Sequence, residues 1–260
     1  MREVEELFMK VNDNYFEKVL KKKNKSLIFL GVIVILLVAT GSYGGLIPVA
    51  LIGLYGIYLF KIKPKKINKI LQNGFKSKSP EILLDYYESI FKSTKTPDVD
   101  ALLAYNKALV LSYFGDFDKA KIEMSKIDWE SRIPYYQAIN LSIMVLRNYL
   151  ETNDYSEGLK LAKEMNRLGQ MSTNIPGSKQ AQEFCDTYIE IGELLTGNIQ
   201  NSILDKLEEI FNNTQFSPKL LIAWCLGFTY NKKGMKEKSN QMLSFCKDVA
   251  PYCYVLQRIK

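Results

Sequence analysis

The sequence predicts an all-α protein: an N-terminal hairpin of two transmembrane helices followed by an α-solenoid of antiparallel helix pairs. Three observations predict it. No charged side chain occurs between Lys25 and Lys61. Beyond that block, apolar residues recur with helical periodicity between short breaks, and no segment alternates as a strand does. The breaks themselves repeat in form along the chain.

Residues 1–25 form the first element, a cytoplasmic amphipathic arm. Val4, Leu7, Phe8, Val11, Tyr15, Val19 and Leu20 fall on one helical stripe. Glu3, Glu5 and Glu6 open it and lysines end it, which suits the helix dipole. Its apolar face needs a cover, either the membrane interface or the C-terminal domain. The glutamates of the first turn favour the second, because they are poorly suited to anionic lipid.

Residues 26–61 are the transmembrane hairpin. The block is too long for one span, since a spanning helix takes about 20 apolar residues and no fewer than about 17. Dividing it at GSYGG, residues 41–45, gives two spans near that lower limit joined by a glycine-rich turn. Tyr43 falls at one interface, and Tyr55 and Tyr58 near the other. Pro48 lies near the start of the second helix, where its missing N–H costs least. Lys18, Lys21, Lys22, Lys23 and Lys25 precede the block, and Lys61, Lys63, Lys65, Lys66 and Lys69 follow it; the connecting turn has none. The positive-inside rule then places both termini in the cytoplasm, as a multi-pass protein of the cell membrane. A cleaved signal peptide is the rival reading. The leader ahead of the apolar run is long for one, and the second run would still remain as an anchor. With no ionisable residue inside it, the hairpin reads as an anchor and not a conduction path. Its glycines (Gly31, Gly44, Gly45, Gly53, Gly56) suit close helix packing, which leaves a homo-oligomer through the hairpin open.

Charge and composition remove several function classes. The net charge is +7, but the densest lysines bracket the apolar block and the rest of the chain mixes both signs. The basic excess therefore belongs to the membrane edge, where it meets anionic headgroups, and no nucleic-acid partner is expected. The chain has no histidine, which excludes Ser-His-Asp and Cys-His catalysis and HExxH zinc sites. Cys185, Cys225, Cys246 and Cys253 form no CxxC pair and are expected as buried thiols. Neither a phosphate-binding GxxxxGK[ST] loop nor a GxSxG elbow occurs. The acidic pairs Asp98/Asp100, Asp116/Asp118 and Glu208/Glu209 lie at turns or on polar helix faces, where helix-start or solvated carboxylates are expected. No enzyme, cofactor or metal is expected.

Residues 62–99 read as a juxtamembrane helix pair, over 62–71 and 80–91, and residues 100–260 as the repeat domain. The breaks are SYFGDFDKA (112–120), YLETNDYSEG (149–158), LLTGNIQNS (194–202) and YNKKGMKEKS (230–239). Their turn residues Gly115, Asn153, Gly197 and Gly234 recur at intervals of 38, 44 and 37 residues. Linkers between pairs are expected at 133–134, 171–178 and 212–218, which hold prolines and Ser/Thr/Asn clusters.

This pattern resembles the tetratricopeptide repeat family, whose period is about 34 residues. Leu226-Gly227, Tyr230, Gly234, Ser239, Leu243 and Pro251 carry it most clearly, and Tyr105, Ala108, Leu111, Gly115, Phe117, Ala120 and Met124 repeat it. The middle units depart from it, with Glu193 where an aromatic belongs. The resemblance covers residues 100–253. Composition rich in Lys, Asn and Ile adds a bacterial source to the expectation. The resemblance implies stacked helix pairs with a concave surface that receives a protein or peptide partner. It implies a groove lined by the first helix of each unit: Tyr105, Leu109 and Tyr113, then Ile143 and Arg147, then Ile191, then Trp224, Phe228 and Asn231. A membrane-tethered scaffold or adaptor is the function this implies, with a peptide-sensing regulatory protein as the alternative. The arrangement that some family members use to grip a terminal carboxylate is not recognisable.

The anchor reading is directly testable. The intact chain is expected to stay in membranes washed with alkaline carbonate, and a chain lacking residues 26–61 is expected in the supernatant. Release of the intact chain would remove the hairpin.

Overall fold

The computed structural model describes residues 63–92, 98–171, 178–213 and 216–257. The arm expected over 1–25 and the transmembrane hairpin expected over 26–61 lie outside them. No helix among the described residues is long and apolar enough to cross a membrane. All regular structure among them is helical. The helices are α1 (Lys63–Phe75), α2 (Glu81–Lys92), α3 (Val99–Phe114), α4 (Phe117–Ser125), α5 (Pro134–Arg147), α6 (Tyr155–Gln170), α7 (Ser178–Leu195), α8 (Asn201–Asn213), α9 (Phe216–Lys232), α10 (Lys236–Val249) and α11 (Tyr254–Gln257). A π-helical turn, Asn148–Thr152, extends α5. Residues 70–173 and 177–260 form one compact unit.

Helices α3/α4, α5/α6, α7/α8 and α9/α10 are four tight hairpins, and the residues that close them are the four the sequence singled out. Gly115, Asn153, Gly197 and Gly234 all have positive φ. Three of the turns share one hydrogen-bond scheme. The Gly115 N–H donates to the Ser112 carbonyl (3.2 Å) and the Asp116 N–H to the Leu111 carbonyl (2.9 Å). Gly197 and Asn198 donate likewise to Leu194 and Glu193, and Gly234 and Met235 to Asn231 and Tyr230. This is the Schellman closure, in which a left-handed residue lets two orphan carbonyls of the helix end find donors. The fourth turn follows the π-helical segment and uses Asn153, whose short side chain tolerates the same backbone region. The next helix then starts at once: the Asp154 carboxylate accepts from the Glu157 N–H at 3.0 Å.

Within the hairpins, small residues set how closely the helices cross. A Cβ at Gly227 would lie 2.9 Å from Leu243 Cδ2, and the buried Ser239 hydroxyl donates to the Gly227 carbonyl at 2.8 Å. Hence α9 and α10 touch backbone to side chain, and the buried Tyr230 fills the space beside them. Tyr149 plays the corresponding part in the middle of the chain. Its ring lies against Gly158 of α6 and its hydroxyl against Gly192 of α7, and that hydroxyl donates to the Tyr188 carbonyl at 2.9 Å. Pro218, expected in a linker, instead occupies the first turn of α9, where no intrahelical N–H is needed.

Successive hairpins pack through α3 on α5, α6 on α7 and α7 on α9. The last helix does not end the array as a free edge. α11 returns to contact α3 as well as α10. Tyr254 meets the Phe117 ring edge-on, with centroids 5.2 Å apart, and packs on the Gly115 turn. Phe75 at the end of α1 reaches the same region, against Tyr113 at 5.8 Å. One core therefore runs from Phe75 and Leu83 through Tyr149, Ile191 and Trp224 to Val255. A second cluster gathers Ala101, Ala104 and Ala108 of α3 with Ala120 and Met124 of α4 and Ile139 and Ile143 of α5.

Gly192→Ala is expected to destabilise the fold by about 2 kcal/mol through overpacking against Tyr149. Tyr149→Phe alone is expected to cost about 1 kcal/mol for the lost hydrogen bond. In the double variant the two costs should fall short of additivity by about 1–2 kcal/mol, because the clash partner is gone. Urea denaturation of all four proteins measures this, and strict additivity would show that the hydroxyl does not sit against Gly192.

Candidate functional site

An apolar cleft of about 280 Å³ opens between α4 and α5. Helix α4 contributes Phe117, Ala120, Lys121 and Met124, and α5 contributes Asn140, Ile143, Met144 and Arg147. Ser125 at the end of α4, Ser112 of α3 and, from the linker, Ile127 and Trp129 complete the lining. Both α4 and α5 lean on α3, and small side chains at Ser112 and Ala120 leave the space between them unfilled. The Trp129 indole N–H donates to the Met124 carbonyl at 2.7 Å, which fixes the ring against the end of α4. Met144 is 45% exposed, and Ile122, next to Lys121, is 58% exposed.

The lining carries two cations and no carboxylate. The Arg147 Nε–H donates to Glu151 one turn on. Lys121 has no ion pair among the described residues. The neighbouring lysines are engaged on α4 itself, Lys119 with Asp116 at 3.0 Å and Lys126 with Glu123 at 2.7 Å. A second opening between α8 and α10, about 380 Å³, is lined by Glu208, Lys238, Phe211 and Phe245 among others. Its charges are already matched, since Lys238 bonds Glu208 at 2.8 Å.

Of the nine groove residues expected from the sequence, the structure brings Ile143 and Arg147 together in the α4–α5 cleft. Tyr113, Ile143, Ile191 and Trp224 are buried in the core. Tyr105, Leu109, Arg147 and Phe228 are half-buried, and Asn231 is exposed. The Tyr105 phenol titrates well above its ordinary range because its hydroxyl is desolvated even though the residue as a whole is half-buried, against a hydrogen bond with Ser142 of α5 that lowers it. Burial raises Tyr188 in the same way, and nearby Tyr105, Tyr113 and Tyr149 add to it. The Tyr149 hydroxyl on the Tyr188 carbonyl ties the turn after α5 to α7. Trp224 and Phe228 stack at 6.2 Å, with Lys232 placed over the Phe228 ring at 4.4 Å.

Lys121, Met124, Trp129 and Met144 were not on that list. The sequence signal for this wall was Trp129 itself, a large aromatic between Asp128 and Glu130, outside any helical stripe.

One or both members of each acidic pair have a structural partner. Arg132 holds Asp98 and, at 2.8 Å, Asp100, tying the linker before α5 to the start of α3. Burial pushes the Glu208 carboxyl up, but hydrogen bonds from Lys238 and Tyr230 outweigh it and leave it below the usual range. Asp116 stands at the start of α4. Among the described residues no group of three or more potential ligands could hold a metal ion. All four cysteines are free and buried. Burial pushes the Cys185 thiol up to about 11, and Cys225, Cys246 and Cys253 up to about 12.

No family model, no curated protein and no solved structure matches the chain.

Because the thiolate is the reactive form, none of the four thiols should react with a disulfide reagent in the folded protein at pH 8, and all four should react once it is unfolded. Their folded pKa values lie above the unfolded value near 9.0, so the unfolded state releases protons first. Stability should hold below pH 9 and fall as the pH rises from there toward 12. A fast-reacting thiol at pH 8, or stability that rises across the alkaline range, would contradict the burial.

Proposed function

We propose that this chain is a membrane-tethered scaffold, built on tetratricopeptide-like helix pairs, that holds a partner protein at the cytoplasmic face of the cell membrane. The α4–α5 cleft carries the reading: an apolar trough with exposed Met144 beside it, edged by two cations and built from helices that hold no catalytic constellation among the described residues. Three features of the sequence support the tether and the side on which the scaffold lies. These are the uncharged residues 26–60, the lysines on both flanks and the absence of charge in the turn. The four hairpins closed by left-handed residues support the repeat plan. A peptide-sensing role is a second reading with its own observation. Phe117 lines the cleft and also touches Tyr254 of the closing helix α11. An occupant that moved Phe117 would disturb the contact that joins the last helix to the first pair.

Crosslinking in cells, then detergent extraction and mass spectrometry, tests the scaffold reading. A specific protein is expected with the intact chain, and its recovery is expected to fall at least severalfold with Met144→Asp, a substitution at an exposed position that leaves the core intact. Background proteins alone, or recovery unchanged by the substitution, would defeat the cleft as the docking site.

A further inference from the structure

We infer that the α4–α5 cleft takes an acidic amphipathic segment of a partner protein, its apolar side chains against Met124, Ile143 and Met144 and an Asp or Glu side chain held by Lys121 and Arg147. This rests on the scaffold reading and adds the chemistry of what is bound. Size comes first. At about 280 Å³ the space is at or below the lower bound of small-molecule pockets, about 300 Å³. It suits one or two large side chains projecting from a longer segment. Those side chains are apolar, because the Ser112 and Ser125 hydroxyls and the Trp129 indole already bond within the fold, which leaves Asn140 as the one uncharged polar side chain of the lining without a bond among the described residues.

Charge comes second. The lining holds Lys121 and Arg147 against no carboxylate. Arg147 is already ion-paired through its Nε–H to Glu151, so Lys121 is the unmatched cation and Arg147 adds donors more than net charge. Its two terminal nitrogens have no partner among the described residues, so the face of the guanidinium suited to a forked carboxylate contact remains available. Lys121 likewise has no ion pair among the described residues. A basic segment would bring like charge to both, whereas an acidic one gains two charge-assisted contacts at the edge of an apolar surface, where screening by water is reduced. The same arrangement separates the roles of the two parts: the apolar trough supplies affinity and the cations supply orientation and partner choice.

The test selects a displayed library of random 12-residue peptides against the full chain in lipid nanodiscs, with empty nanodiscs as counter-selection. The enriched pool is expected to carry an Asp or Glu within about one helical turn of two large apolar residues. The best peptide, synthesised with blocked termini, should bind at least tenfold more weakly to Lys121→Glu and to Arg147→Gln, and should weaken as salt is raised. Lys121 is exposed, so its variant keeps the fold, which circular dichroism verifies. Enrichment without acidic residues, or binding unmoved by Lys121→Glu, would overturn the inference while leaving partner binding in place. A pool that never enriches over empty nanodiscs would take the scaffold reading down with it.

Discussion

Each hairpin of this chain turns on one residue in the left-handed region, and that constraint recurs at Gly115, Asn153, Gly197 and Gly234. At Gly115, Gly197 and Gly234 the same pair of hydrogen bonds seals the end of the first helix; the second helix starts two residues after Gly115 and Gly234 and four after Gly197. With the turn fixed, the two helices have little freedom in how they cross, and side chains near the turn must fit whatever gap results. The fourth turn shows what happens when the length differs. A π-helical segment precedes Asn153, and it carries Tyr149 into the interior. The phenol is accommodated because Gly158 and Gly192 face it without a Cβ. Turn geometry and core packing are therefore one problem in this protein, solved together at each hairpin.

The hairpins were legible in the sequence because their determinants are local. A glycine or asparagine recurring along the chain, a small residue about two turns before it and a small and then a large one after it are all within reach of a single reading frame. Gly227, Ser239 and Leu243 carried the repeat pattern most clearly, and the distances show a close crossing there. The site was less legible. An apolar stripe on the first helix of a pair looks the same whether it faces a ligand or another helix, so Tyr113, Ile191 and Trp224 were read as groove and are found in the core. The cleft depends on features with no periodic signature: the shortness of α4, the absence of bulk at Ser112 and Ala120, and the position of a linker tryptophan. The contact of Tyr254 with the Gly115 turn joins residues from opposite ends of the repeat region, and nothing in the local pattern announces it.

Several ion pairs on this unit run between elements and hold helices in register. Arg132 fastens a linker to the start of α3, Lys206 bonds Glu190 across α8 and α7, and Lys163 reaches Glu193 from α6 to α7 at 3.0 Å. Such half-exposed pairs contribute little energy each but disfavour slipped arrangements of similar helices. Against that background Lys121, on an apolar trough with no acid in its lining and no ion pair among the described residues, stands apart. The mobile thiol chemistry that four cysteines would offer is likewise withdrawn by burial.

The return of α11 to α3 changes how the array should assemble. An open stack of repeats is stabilised by nearest neighbours, so it can nucleate at any unit, and its end units fray independently. Here the final helix shares a wall with the first pair, through Tyr254, Phe117 and the Gly115 turn. Neither end can loosen without exposing apolar surface of the other. The array should then melt as one cooperative body, and its folding must wait for a contact of very long sequence separation, which raises the entropic cost of the late step. During synthesis the α3/α4 pair stays unfinished until the segment around Tyr254 has left the ribosome, so a chain cut before Tyr254 would be flawed far upstream of the cut.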